Sequence, residues 1–85
     1  MSACPSQTFA NVTPEQFASI EKKAQESGVP IVGNSGAASK LGGHFTWIYD
    51  PATQELTITV TEPPFLMNCE SVNARISSLV LSIIA

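Results

Sequence analysis

Hydrophobic and polar residues alternate in two neighbouring runs in the middle of the chain, HFTWIYD and ELTITVTE, with PATQ between them. Strict alternation is typical of strands with one buried face, and a short connection of this kind is typical of an antiparallel hairpin. If Asp50 pairs with Glu55 across the connection, the apolar residues of both strands fall on one face. The predicted apolar pairs are Tyr49 with Leu56, Trp47 with Ile58, and Phe45 with Val60.

The opposite face of this hairpin is predicted to be polar and exposed. In the same register His44 lies opposite Thr61, and no glutamate lies beside it. A shift by one residue would place Trp47 opposite a threonine and expose the aromatic side chains, so the pattern determines the register. The other outward residues are Thr46, Ile48, Asp50, Glu55, Thr57 and Thr59.

The first helix is predicted over residues 14–27. Thr13 and Gln16 have the types and spacing of a capping box, and Pro14 suits the first helical position. Gly28 is a residue that readily ends a helix in the left-handed conformation. The apolar positions, spaced three and four apart, are Phe17, Ile20 and Ala24. A stripe this narrow predicts a helix that covers one side of a core.

A second helix is predicted over residues 69–84, after Pro63 and Pro64 end the hairpin. Its apolar stripe consists of Val72, Ile76, Leu79, Val80 and Ile83, with Cys69 one turn upstream. Leu81 points away from this stripe. Packing within a single chain therefore leaves this apolar residue unexplained.

The order of these elements predicts an α+β fold. Residues 1–13 form an extended lead-in, and the small residues near 36–40 form a short strand before the hairpin. The economical assembly is a small two-layer α-β-β-β-α domain. In it, a three-stranded antiparallel meander over 36–61 carries both helices on its aromatic face. A chain of 85 residues has room for one core, so we expect a single domain spanning 1–85.

The chain is acidic, with a formal net charge of −3, and only 13% of its residues are charged. Its cations are Lys22, Lys23, Lys40 and Arg75. Nucleic-acid binding depends on clustered cations, so we expect no nucleic-acid partner. No apolar run approaches the ~18 residues of a spanning helix, so we expect no membrane insertion. No signal peptide is visible, which favours a cytoplasmic location, with removal of a leader as the alternative.

The two cysteines, Cys4 and Cys69, permit one disulfide. Without a sign of an oxidising compartment we expect two free thiols, with a bridge as the alternative. The chain has one histidine, which together with two cysteines does not complete a four-ligand zinc set. We therefore expect neither a metal nor another cofactor.

The segment GGHFTWIYD concentrates the only histidine, tryptophan, tyrosine and aspartate of the chain. A catalytic triad needs contact between its histidine and its carboxylate. His44 and Asp50 lie six residues apart on one strand, which separates them by roughly 20 Å. We therefore expect no enzyme. One catalytic alternative stays open, a thiol-dependent enzyme that uses Cys69, because a helix N-terminus lowers the pKa of a thiol.

The leading functional prediction is a non-enzymatic protein-interaction module that binds a second copy, as a homodimer, or another protein. Its predicted contact residues are the apolar ones that the fold leaves unexplained, namely Phe65, Leu66, Met67, Leu81 and Ile84. The alternative is a small-molecule or peptide binder. Its predicted pocket lies between the sheet and the helices and is lined by Trp47, Tyr49 and Phe65.

Overall fold

The computed structural model describes residues 4–29, 31–40, 42–64 and 67–84, and within them two helices and four strands form one α+β unit. In chain order the elements are β1 (Gln7–Phe9), α1 (Pro14–Glu26), β2 (Ser35–Lys40), β3 (Gly43–Asp50), β4 (Glu55–Glu62) and α2 (Cys69–Ile84). The strands form a single antiparallel sheet in the order β1-β4-β3-β2. The predicted α+β class is confirmed.

The sheet has one strand more than the predicted three-stranded meander. Strands β2, β3 and β4 form that meander, and β1 adds to its free edge from within the lead-in. Gln7 pairs with Ile58, and Phe9 pairs with Leu56. Since Phe9 is buried, this short strand extends the apolar face of the sheet. Three residues are too few to produce a recognisable alternation, which explains why the pattern did not indicate a strand here.

The register of the β3–β4 hairpin is the predicted one over most of its length. Tyr49 pairs with Leu56, Trp47 with Ile58, Phe45 with Val60, and Asp50 with Glu55. The prediction is wrong at the far end, where His44 pairs with Glu62 and not with Thr61. The cause is an irregularity between His44 and Phe45, since a β-bulge shifts every pairing beyond it.

Helix α1 begins with the predicted capping box. The backbone N–H of Gln16 donates to Thr13 Oγ1 at 3.2 Å, and the backbone N–H of Thr13 donates to Gln16 Oε1 at 3.0 Å. Pro14 occupies the first helical position, where its missing N–H has no helical partner to lose. After Glu26 the chain leaves the helix, and Gly28 takes a φ of +86°, as expected for a residue that ends a helix.

Both helices pack on the aromatic face of the sheet. Phe17 of α1 stacks on Tyr49 with 4.3 Å between the ring centroids, and Val80 of α2 joins the same core cluster. Trp47 and Tyr49 are only 3% and 4% exposed. The remaining buried members of this cluster are Phe9, Val12, Ile20, Ala24, Ile31, Leu56 and Ile58.

The small residues of β2 fit the indole ring of Trp47. Gly36 pairs with Trp47, and a Cβ atom added at Gly36 would lie 2.9 Å from Trp47 Cζ2. The indole N–H donates to the carbonyl of Gly33 at 3.0 Å. The tryptophan therefore lies over the edge strand and needs a neighbour without a side chain.

A disulfide joins Cys4 to Cys69, so the expectation of two free thiols is wrong. The backbone N–H of Cys4 donates to the carbonyl of Val60 at 2.8 Å, which places the N-terminal segment beside β4. Cys4, Val60 and Val72 form a second buried cluster at the start of α2. The contact is non-local, since the cysteines are 65 positions apart, and no pattern of neighbouring residues indicates it.

We predict that removing this disulfide destabilises the chain strongly. The cysteines are 65 positions apart, and the loop-closure relation gives about 4 kcal/mol for a ring of that length. Urea unfolding of the Cys4→Ala/Cys69→Ala variant should show a free energy of unfolding lower by about 2–4 kcal/mol. Reductant should lower the stability of the parent and leave that of the variant unchanged. A variant as stable as the oxidised parent would contradict the prediction.

We predict that the ionisation of Tyr49 makes the free energy of unfolding decrease with rising pH in the alkaline range. Its hydroxyl donates to the carbonyl of Val12 at 2.5 Å, and burial, aided by the neighbouring charge of Asp50, raises the pKa of the phenol above its usual value. The unfolded phenol ionises near pH 10, so it binds fewer protons than the native one above that pH. The stabilisation is therefore complete below about pH 10 and is lost as the pH rises through the native pKa.

Absorbance near 295 nm measures this titration directly, because the chain has a single tyrosine. We expect the ionisation midpoint of the folded chain to lie above that of the urea-unfolded chain. A Tyr49→Phe control has no phenol to ionise, so its free energy of unfolding should not show this decrease as the pH rises above about 10. Equal midpoints in the folded and unfolded chains would refute the assignment.

Candidate functional site

An open apolar cavity of about 260 Å³ lies between the sheet and the two helices. Its walls come from α1, the segment after it, strands β3 and β4, the segment before α2, and α2 itself. The apolar lining residues are Ile20, Ala24, Val29, Ile31, Gly43, Phe45, Ile58, Val60, Pro64, Met67, Val72, Ile76, Leu79 and Val80.

The local sequence explains why a space remains here. Ala24 occupies the third position of the α1 stripe and contributes only a methyl group to the wall. Phe45, Ile76 and Leu79 pack against the core and yet remain half-buried. Side chains at the centre of a core are normally almost completely covered. Half-buried apolar residues around a small one therefore leave an opening that other apolar atoms can fill.

Polar side chains lie at the rim of this cavity, and two of them interact. His44 Nε2 lies 3.5 Å from Glu62 Oε1, and the two side chains are 58% and 33% exposed. This contact results from the irregularity between His44 and Phe45, where Thr61 of β4 is the extra residue and Glu62 therefore lies opposite His44. The expectation that no glutamate lies beside His44 is thus wrong. A contact this exposed, which is an ion pair only when the imidazole is protonated, contributes little to stability because solvent screens it.

Arg75 is the cationic residue of the rim. It follows Val72 by three positions and precedes Leu79 by four, so it shares the face of α2 that lines the cavity. The residue is exposed, and within the described ranges no carboxylate oxygen lies within 4.0 Å of its guanidinium. An arginine is charged throughout the accessible pH range. The rim therefore carries a permanent positive charge that no carboxylate in the described chain neutralises by contact.

Two of the three residues predicted to line an aromatic pocket lie outside this cavity. Trp47 and Tyr49 are core residues that do not line the cavity, and their polar atoms are engaged with Gly33 and Val12. Phe65 lies outside the described residues. Phe45, one pair further along the hairpin, is an aromatic residue that does line the cavity. Its position on the apolar face was predictable, whereas the residues left incompletely covered depend on how the helices pack.

The residues predicted to contact a partner differ in exposure where the structure describes them. Leu81 is exposed, with 46% of its surface accessible. Ile84 packs against the main core cluster, and Met67 packs against the cluster that contains Cys4. Phe65 and Leu66 lie outside the described residues. Met67 and Ile84 are half-buried, so among the described contact residues only Leu81 is exposed.

The residues considered for catalysis are also separated. His44 and Asp50 lie near opposite ends of β3, as the strand geometry predicted. Cys69 is bonded to Cys4, so the thiolate that a thiol-dependent enzyme requires is absent from the oxidised chain. In the described part of the chain, no three side chains of histidine, cysteine, aspartate or glutamate form a group able to hold a metal ion.

No family model, curated protein or solved structure matches this chain. Neither α1 nor α2, the helices present in the described ranges, combines the length and apolar character needed to cross a bilayer. Functional inference therefore depends on the cavity and its rim.

Proposed function

We propose that this chain is a small-molecule-binding module that holds an aliphatic ligand in the cavity between its sheet and helices. One observation carries the proposal, namely an apolar space of about 260 Å³ in a chain of 85 residues. Protein interiors are close-packed, and a well-formed apolar cavity with a few polar groups is the usual form of a ligand site.

The dimensions of the cavity favour a small ligand. Sites for drug-sized molecules usually occupy about 300–1,000 Å³, and this cavity is smaller. We propose a ligand with a single chain of about eight carbons. Each methylene that it buries contributes about 0.8 kcal/mol, before the cost of association is subtracted. Eight methylenes give about 6.4 kcal/mol in total, which corresponds to about 0.02 mM, so after that cost is subtracted we expect dissociation constants of roughly 0.1–1 mM for such a chain.

The proposal is one of binding, in keeping with the sequence-based expectation of a non-enzymatic module. The proposal differs from the sequence-based expectation in the cellular compartment that it favours. The Cys4–Cys69 disulfide supports an oxidising location in place of the cytoplasm, since reducing compartments keep most thiols free. The proposed ligand site also differs, because it is the cavity beside Phe45 and not a pocket lined by Trp47 and Tyr49.

Octan-1-ol is the probe that tests the proposal, because its chain is apolar and its head group is uncharged. We expect it to bind in the stated range by titration calorimetry and to raise the melting temperature. Ala24→Leu, which adds three carbon atoms at the cavity wall, should weaken binding at least tenfold because it occupies the same space. Leu79→Phe is the second filling variant, at a half-buried position of α2.

Ala18→Leu is the matched control, since Ala18 is exposed on the same helix and does not line the cavity. It should bind octan-1-ol as the parent does. Saturation of the parent with no weakening in either filling variant would contradict the proposed site. Absence of binding to the folded parent at millimolar octan-1-ol would contradict the proposed function.

Self-association is the second candidate function, and the exposure of Leu81 favours it. A homodimer through the outer face of α2 would bury this side chain. Light scattering from low to high micromolar concentration should then show a mass that doubles in the parent and stays monomeric in Leu81→Glu. Ala18→Glu adds the same charge at an exposed position of α1 and should still dimerise. A monomeric mass of the parent at all concentrations would exclude the homodimer.

A further inference from the structure

We infer that the ligand of this cavity is an amphipathic anion, a single aliphatic chain with a carboxylate head that Arg75 binds at the rim. This inference rests on the proposed function and adds the chemistry of the head group. The cavity would hold the aliphatic chain of the ligand, and the charges at the rim would determine which head group binds most tightly.

The position of Arg75 connects it to the cavity. It lies among residues of α2 that form the wall, between Val72 and Leu79, and it lines the same space. An arginine in such a position covers apolar surface with its methylene groups and keeps its guanidinium in water. A ligand whose chain occupies the cavity would therefore carry its head group past this guanidinium.

The charges of the rim favour an anion at Arg75. Glu62 faces His44 at 3.5 Å, so the acidic side chain of the rim has a polar partner, which carries a positive charge only when the imidazole is protonated. Arg75 has no carboxylate neighbour within 4.0 Å in the described ranges. A guanidinium matches the two oxygens of a carboxylate with parallel hydrogen bonds, which gives it a preference for this head group over a hydroxyl.

A monocarboxylate fits this rim better than a phosphate ester does. A phosphate carries up to two charges and usually needs several donors or cations around it. Among the described rim residues Arg75 is the only arginine or lysine, and the other side chain able to carry a positive charge, His44, lies against Glu62. One guanidinium suffices to pair with one carboxylate.

The test compares three ligands that share an eight-carbon chain and differ in charge, namely octanoate, octan-1-ol and octylammonium. Titration calorimetry at neutral pH and low salt should give octanoate an affinity roughly 3- to 10-fold above that of octan-1-ol, the range expected for a partly exposed charge-assisted pair. Octylammonium should bind more weakly than octan-1-ol. The preference for octanoate should decrease at high salt, because salt screens charges at an exposed rim.

Variants of Arg75 separate the contribution of the head group to the affinity from the contribution of the aliphatic chain in the cavity. Arg75→Gln should reduce the affinity for octanoate to that of octan-1-ol and leave the affinity for octan-1-ol unchanged. Arg75→Lys keeps the charge and should retain part of the preference. Lys22→Gln removes one positive charge from an exposed position of α1 outside the cavity, and it should preserve the preference.

Each other outcome overturns the inference in a recognisable way. Equal binding of octanoate and octan-1-ol by the parent would leave the proposed function intact and remove the role of Arg75. Tightest binding of octylammonium would assign the head group to Glu62. A preference for octanoate that survives in Arg75→Gln would place the carboxylate elsewhere. If none of the three ligands binds, the proposed function fails together with the inference.

Discussion

The register of the β3–β4 hairpin is the constraint on which the rest of this structure depends. It places Trp47 and Tyr49 on one face, where the helices cover them, and the indole in turn requires a glycine at position 36. A slip by one residue would exchange the two faces of the strand and leave the helices without an apolar surface. The same register ends in a bulge at His44, which brings Glu62 to the rim of the cavity.

Local patterns predicted those features whose cause is local. The capping box of Thr13 and Gln16, the alternation of the hairpin and the stripe of α2 all lie within a few residues of the structure that they determine. The disulfide joins residues that are 65 positions apart, and β1 is three residues long, so neither leaves a local pattern. The bulge beside His44 changes one pairing without changing the alternation of the residues around it.

The candidate site was less predictable than the fold, because a cavity is defined by what the side chains fail to fill. The wall residues Ala24 and Leu79 were both predicted to face the core, and both do. Their stripes indicate which side of each helix is apolar, but the space between two stripes depends on how the helices pack. The proposed role of Arg75 depends on the same geometry, because an arginine at the edge of an apolar stripe points to a ligand's head group only where a cavity lies beside it.

We propose above all that a ligand's aliphatic chain enters the open cavity between the sheet and both helices. Intermolecular nuclear Overhauser effects between unlabelled octan-1-ol and the carbon-13-labelled methyl groups of the chain measure this directly. The account predicts contacts from the alkyl chain to Ile20, Ile76 and Val80, which belong to the two helices and line the cavity. Contacts confined to the exposed methyl groups of Ile48 and Leu81 would contradict it.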